Sequence, residues 1–372
     1  MSTTNEFIKK IFKSKSNISI ISLAIIVAVL LFVYLKDDGI GKIETKEGFS
    51  EGGGIFGIGG NANAPIRSVD YNTEYKKWSR AIQNDGPAKA YEDFKKEYAY
   101  DHFGVQHSAA HIFGEVLFDE EGLEGLTYCD TTFAFGCFHS FFGKAIYILG
   151  ESVIPKMDAS CVEKYGVYGT GCQHGIGHGI LQYMGSDNLV DALNLCSLTT
   201  QKNPKFGCTS GVFMEHNVPL VDFGEGSYVT KIRDFNSEDP YEPCPKLPYE
   251  FRESCYYELG QWWEKTFNRD YKAMGLACKN IPDKEFERSC YLGIGNVVPP
   301  GNNYDLSKSI EACSLMPNDD GRLVCFSGSS WSFFANPDYR DIAPKVCDIF
   351  DNKETKEKCL RGADLIGGSQ DE

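Results

Sequence analysis

Residues 161–180 read "CVEKYGVYGTGCQHGIGHGI" and combine two cysteines eleven positions apart with two histidines four positions apart. Along the chain, short steps of 8 to 12 residues between cysteines alternate with long steps of 22 to 36. This alternation, without CxxC-type spacing, favours seven local disulfides over thiolate metal sites. Spacing alone does not fix connectivity, so the pairing is a hypothesis. The expected pairs are Cys129–Cys137, Cys161–Cys172, Cys196–Cys208, Cys244–Cys255, Cys278–Cys290, Cys313–Cys325 and Cys347–Cys359.

The cysteine pairs recur with a period of about 34 residues, which is typical of helical repeats. The run "LVDALNLC" before a first cysteine spaces its apolar residues three and four apart, as a helix does. Glycine follows the second cysteine by three places in five of the seven units, which predicts close approach of a neighbouring helix. Each unit therefore reads as helix, disulfide-linked loop, helix. The predicted fold class is all-α: a right-handed solenoid of about seven to eight disulfide-linked hairpins, preceded by one transmembrane helix.

The units containing "AC…CYLGIGN" and "EAC…CFSGSSW" resemble disulfide-linked Sel1-like repeats, which are relatives of the tetratricopeptide repeat found in the Helicobacter cysteine-rich protein type. The resemblance extends over residues 75–367. It implies a secreted helical solenoid and carries over no catalytic residue. The "HGIGHG" element matches no known family pattern.

Residues 18–35, "ISIISLAIIVAVLLFVYL", contain no charged residue. As a helix they would span about 27 Å, close to the thickness of the hydrocarbon core of a bilayer. Four lysines precede the segment, which predicts a cytoplasmic N-terminus and a single-pass protein of the cell membrane whose C-terminal domain is extracytoplasmic. A cleaved signal peptide is the alternative. Its apolar region is usually about 7–15 residues long and precedes a small-x-small site, which this segment lacks.

The expected domain organisation follows from these segments. The predicted parts are a cytoplasmic tail at 1–17, the membrane anchor at 18–35, a Gly-rich flexible tether at 36–66, and an extracytoplasmic helical-repeat domain at 67–367. Within that domain we expect a His-rich half at 75–220, an insertion loop at about 221–243, and a second half at 244–367.

The charge distribution restricts the partners of the chain. The net charge is −15, and residues 1–36 contribute five lysines and one glutamate. The remainder has 32 basic and 51 acidic residues, a net charge of −19. A domain this acidic repels phosphate backbones, so nucleic acid is excluded as a partner. The expected partners are the lipid bilayer, through residues 18–35, and cations or a protein on the concave face.

The histidines follow the repeat register. All seven lie at or before residue 216, and two pairs have H-x3-H spacing, while His139 and His174 both follow a cysteine by two places. Residues four apart share one helix face, so neighbouring repeats would direct these side chains into one groove. Neutral imidazoles there suit zinc, copper or iron. The predicted metal ligands are His107, His111, His174 and His178, with His139, Glu115, Glu215 and His216 as candidates for completing the shell.

These observations predict a membrane-anchored helical-repeat protein that binds a transition-metal ion in a His-lined groove. One alternative is a protein-interaction scaffold whose histidines are structural. The other is a metal-dependent enzyme in which non-haem iron or zinc keeps an open position. The H-E-x-x-H, G-x-S-x-G and Walker motifs are absent from the sequence, so no catalytic residue is assigned.

Overall fold

The computed structural model describes residues 69–101, 103–133, 135–166, 170–200, 205–219 and 233–363. The predicted tail, membrane anchor and tether all precede these ranges and lie outside the described residues. Within the described ranges, none of the helices combines the length and the apolar character that crossing a bilayer requires.

Every regular element of the described ranges is a helix, which confirms the all-α prediction. The α-helices are α1 Tyr71–Asp85, α2 Pro87–Tyr98, α3 Phe103–Glu121, α4 Gly136–Leu149, α5 Ile154–Tyr165, α6 Thr170–Met184, α7 Leu189–Leu195, α8 Cys208–Asn217, α9 Tyr249–Thr266, α10 Tyr271–Lys279, α11 Lys284–Gly301, α12 Leu306–Ser314, α13 Asp319–Ala335, α14 Ala343–Val346 and α15 Lys353–Gly362.

Short polar side chains and glycines set the ends of many of these helices. The Asp70 carboxylate accepts a 2.8 Å hydrogen bond from the Thr73 backbone N–H at the start of α1. Asp270 does the same at α10, and Asn352 at α15. Such caps satisfy N–H groups that have no partner within the helix. Gly150 follows α4 with a φ of +75°, a conformation that costs glycine little and ends the helix.

The fourteen cysteines form the seven local disulfides that the spacing predicts, and the described part of the chain contains no free cysteine. In three units the bond joins two α-helices within the described range: α5 to α6, α10 to α11, and α12 to α13. In chain-entropy models, each loop of this length contributes about 3 kcal/mol to stability.

Two units depart from the predicted helix–loop–helix plan. The segment before α9 is a short 3₁₀ turn, Cys244–Lys246, instead of a helix. Pro243, Pro245 and Pro248 flank or enter it, and proline has no N–H to donate along a helix. The segment Gly122–Thr127, which precedes the first disulfide, is likewise a 3₁₀ helix.

The second helices of successive units pack on one another in chain order. The contacts run α3–α4, α4–α6, α6–α8, α8–α9, α9–α11, α11–α13 and α13–α15. Glycine permits this close approach, as the sequence predicts. A Cβ at Gly211 of α8 would overlap the carbonyl oxygen of His174 in α6, and one at Gly177 would overlap the carbonyl oxygen of Cys208. The packing therefore brings α3, α4, α6 and α8 into adjacent positions.

Candidate metal centre

Five histidines from three helices that pack side by side meet in one buried cluster, which we call the histidine cluster: His107 and His111 on α3, His139 on α4, and His174 and His178 on α6. His139 lies between the two pairs. Its ring centroid is 5.3 Å from those of both α3 histidines, 6.0 Å from that of His174 and 4.4 Å from that of His178. The predicted register of the histidines thus corresponds to a real juxtaposition of their side chains.

The α3 pair converges through its Nε2 atoms. His107 Nε2 and His111 Nε2 are 3.0 Å apart. The Nδ1 atom of His107 lies 2.8 Å from the carbonyl oxygen of Phe133, and a carbonyl can only accept. Nδ1 therefore carries the proton of the neutral ring, which leaves the Nε2 lone pair directed at the cluster. Phe133 has a left-handed φ of +55°, a costly conformation for a bulky residue, at the point where its carbonyl meets His107.

The α6 pair has the same arrangement. His174 Nε2 and His178 Nε2 are 3.0 Å apart, and His178 Nδ1 lies 2.8 Å from a carboxylate oxygen of Glu215 on α8. An ionised Glu215 carboxylate only accepts; with it, His178 keeps its proton on Nδ1 and directs Nε2 into the cluster. A second residue that holds the far nitrogen of a metal-ligating histidine in this way is a regular feature of metal sites.

The far side of His174 contacts a short polar chain. His174 Nδ1 is 3.1 Å from the hydroxyl of Ser210, and that hydroxyl donates to the carboxyl group of Glu258 on α9. The thioether sulfur of Met214 lies 3.1 Å from His174 Nε2, on the cluster side of the ring. The repeat register places Ser210 and Met214 at the positions equivalent to His174 and His178. The repeat register could therefore have indicated that both residues lie beside the histidines, although neither is predicted from the sequence as a ligand.

His139 differs from the other four. Its side chain is 3% exposed, and neither of its ring nitrogens has a hydrogen-bond partner among the described residues. A buried polar atom that has lost water and gained no partner costs about 1–3 kcal/mol. Both nitrogens of His139 are therefore available to a ligand that enters the cluster.

Burial keeps the cluster uncharged. It lowers the pKa of His178 to about 3, with a further contribution from His107. Burial also places the pKa values of His111, His139 and His174 well below the usual value of 6.5. The pKa of His107 is lowered as well, again chiefly by burial. At neutral pH the five rings are neutral, which is the state in which imidazole binds a metal.

The other three predicted ligands occupy different places. Glu115 lies one turn beyond His111 on α3 and accepts a 2.7 Å hydrogen bond from the Tyr71 hydroxyl. Glu215 contacts the outer nitrogen of His178, away from the converging Nε2 atoms. His216 belongs to neither of the two groups of three histidines that could hold an ion, His107/His111/His139 and His139/His174/His178. Burial and the nearby charge of Arg233 lower its pKa to about 4.

Two groups of three histidines have ligand atoms close enough for one ion. In each group these atoms lie within 4.8 Å of one another. One group is His107, His111 and His139, and the other is His139, His174 and His178. Three imidazoles with an open fourth position form a known type of catalytic zinc site, and imidazole also suits copper and iron. The residues present therefore fit a transition metal.

Comparison with known proteins gives no match: no family model, no curated protein and no solved structure is similar to this chain. The resemblance to Sel1-like repeats thus stays a prediction from the sequence.

Proposed function

We propose that this protein binds a transition-metal ion, zinc, copper or iron, in the histidine cluster. The observation that carries the proposal is the position of His139, a buried imidazole without hydrogen-bond partners among the described residues, between two histidine pairs whose Nε2 atoms are 3.0 Å apart. A bound cation would replace the interactions with water that these nitrogens lose on burial.

A structural role for the histidines explains less. Each pair can form an Nε2–H···Nε2 hydrogen bond without metal, with His111 and His174 as the donors. That arrangement gives each of four rings at least one hydrogen bond and gives His139 none among the described residues. Metal binding requires only that His111 and His174 carry their protons on Nδ1 instead of Nε2. His174 has an acceptor at that position, the Ser210 hydroxyl, which in turn donates to Glu258.

The test is metal analysis of the full-length chain, purified in mild detergent without chelator. We expect stoichiometric zinc, copper or iron, or stoichiometric uptake on titration with each metal. A His174→Gln/His178→Gln variant should bind less metal than wild type, because it loses one of the two histidine pairs. The control is Tyr183→Gln, an exposed position on the same helix. A wild-type chain that takes up none of the three metals would overturn the proposal and leave the interaction scaffold as the better interpretation.

We also propose that the helical hairpins form one solenoid, attached outside the cell membrane by residues 18–35. The chain-order packing of the second helices supports the solenoid. Seven disulfides support an oxidising compartment, because thiols stay reduced in the cytosol. Protease added to intact cells should digest the helical domain and spare the N-terminal tail; the opposite pattern would reverse the topology.

A further inference from the structure

We infer that the histidine cluster is a two-ion centre in which the ring of His139 bridges one ion held by His107 and His111 and a second held by His174 and His178. This inference rests on the proposed function and specifies its stoichiometry.

Each histidine pair has the geometry of a chelating unit. A tetrahedral ion with metal–nitrogen distances of about 2.0–2.1 Å separates two of its ligand nitrogens by about 3.3 Å. The Nε2 atoms of each pair are 3.0 Å apart, close to that separation. The cluster contains two such units on different helices, and the two groups of three histidines share only His139. A single ion would be coordinated by one pair, and the Nε2 atoms of the other pair would then bind no metal.

The nitrogens of His139 provide the link. In His107 and His178 the Nδ1 atom is occupied by an acceptor, so each ring has one nitrogen to give. His139 has two, because neither nitrogen has a partner among the described residues. The two nitrogens lie at different edges of the ring. Its centroid is 5.3 Å from those of the α3 pair and 4.4 Å from that of His178, whose ring is stacked on it at 29°, so both pairs lie within reach of the His139 ring.

Binding of the two ions changes no oxidation state and releases one proton. The first ion binds the nitrogen of His139 that carries no proton. The second ion displaces the proton from the other nitrogen, and that proton passes to solvent. Two metal–nitrogen bonds form at His139, one N–H bond breaks, and the ring becomes an imidazolate. The ions would be about 6 Å apart, given the usual metal–nitrogen distances. Each would have three nitrogen ligands and at least one further position.

Copper(II) titration followed by electron paramagnetic resonance tests this arrangement on the full-length wild-type chain. We expect two copper ions per chain. The signal should rise with the first equivalent and fall with the second, because an imidazolate bridge couples the two unpaired spins. His139→Gln should abolish the fall. His107→Gln/His111→Gln should bind one copper with a full signal, and circular dichroism would establish that both variants are folded.

The outcomes separate this inference from the proposed function. Two coppers with the full signal of two isolated ions would overturn the bridge. Saturation at one copper would overturn the two-ion centre and leave single-ion binding intact. A wild-type chain that binds none would overturn both. Because these results come from the wild-type chain, they do not depend on whether a variant folds.

Discussion

The imidazole of His178 donates its Nδ1–H to the carboxylate of Glu215 across 2.8 Å, and both side chains are almost fully buried. The two residues lie on neighbouring helices, α6 and α8. This contact fixes both the orientation and the tautomer of His178, so its Nε2 faces His174. A buried ion pair is not needed for it, because burial keeps the imidazole neutral.

Replacement of Glu215 tests whether this contact tunes metal affinity. Glu215→Gln keeps an oxygen that can accept from Nδ1 but removes the negative charge. Loss of such an outer contact typically lowers metal affinity about 10–100-fold, and we expect the Gln variant at the low end and Glu215→Ala at the high end. Competition with a chelating dye measures the affinity. The exposed Glu354→Gln is the control, and equal affinities in all four proteins would contradict the prediction.

Gly211 sets the distance between α6 and α8, and with it the site. In a Gly211→Ala variant the new methyl would overlap the carbonyl oxygen of His174 and force the helices apart. Overpacking of this kind costs about 1–3 kcal/mol. Gly328→Ala is a matched control, because its methyl would overlap the carbonyl oxygen of Leu292 far along the chain. Urea unfolding should show both variants destabilised, while only Gly211→Ala loses metal affinity. Unchanged metal affinity in Gly211→Ala would show that metal binding does not depend on the distance between α6 and α8.

The repeat register made the centre of the site predictable. His139 and His174 share a position after their cysteines, and parallel packing of equivalent helices brings equivalent positions together. The register could not assign Glu215 and His216, which are adjacent in sequence. Adjacent residues point about 100° apart on a helix, so when Glu215 faces His178 its neighbour turns away.

The contacts around the histidine cluster could not be predicted from the sequence, for a different reason. The carbonyl of Phe133 meets His107 because the loop before α4 adopts a left-handed conformation at that residue, which no motif signals. Ser210 and Glu258 are 48 residues apart in sequence and meet only because α8 packs on α9. The general helix–loop–helix plan also fails before α9, where Cys244–Lys246 forms a 3₁₀ turn among three prolines.

Met214 should influence which metal the α6 pair prefers. Its thioether sulfur lies 3.1 Å from His174 Nε2, and thioethers favour copper(I) over zinc. Met214→Leu preserves volume and removes the sulfur. We expect copper(I) affinity to fall about tenfold, which corresponds to about 1.4 kcal/mol, with zinc affinity unchanged. Competition titrations with both metals give the ratio; a parallel change for zinc would point to a packing defect.

The buried imidazoles should make the metal-free protein sensitive to acid. Their native pKa values lie below 6.5, so under mild acid the unfolded chain binds protons that the native chain does not. Stability is therefore complete above pH 6.5 and falls as the pH drops, by up to about 1.4 kcal/mol per pH unit for each such histidine. Urea unfolding at pH 7 and 5 should show His178→Gln losing less stability over this interval than wild type. An identical loss would mean that His178 takes up its proton without penalty.

Glu258 should have the opposite effect, lowering stability as the pH rises from 4.5 to 8. Burial raises the pKa of its carboxyl group to about 8, although the hydrogen bond from Ser210 opposes this shift. Between pH 4.5 and 8 the native chain holds a proton that the unfolded chain releases. This contribution to stability is present below pH 4.5 and is lost as the pH rises, by up to about 1.4 kcal/mol per pH unit.

Glu258→Gln removes this titration and keeps a side chain of similar shape. We therefore expect the free energy of unfolding of the variant, relative to wild type, to rise between pH 5 and 8 in the metal-free protein. Glu250→Gln, exposed in the first turn of the same helix, should leave the pH profile unchanged. Parallel profiles for wild type and Glu258→Gln would show that Glu258 is ionised in the native state. The Ser210 hydroxyl would then donate to a charged carboxylate beside His174, and a bound cation would be stabilised more strongly.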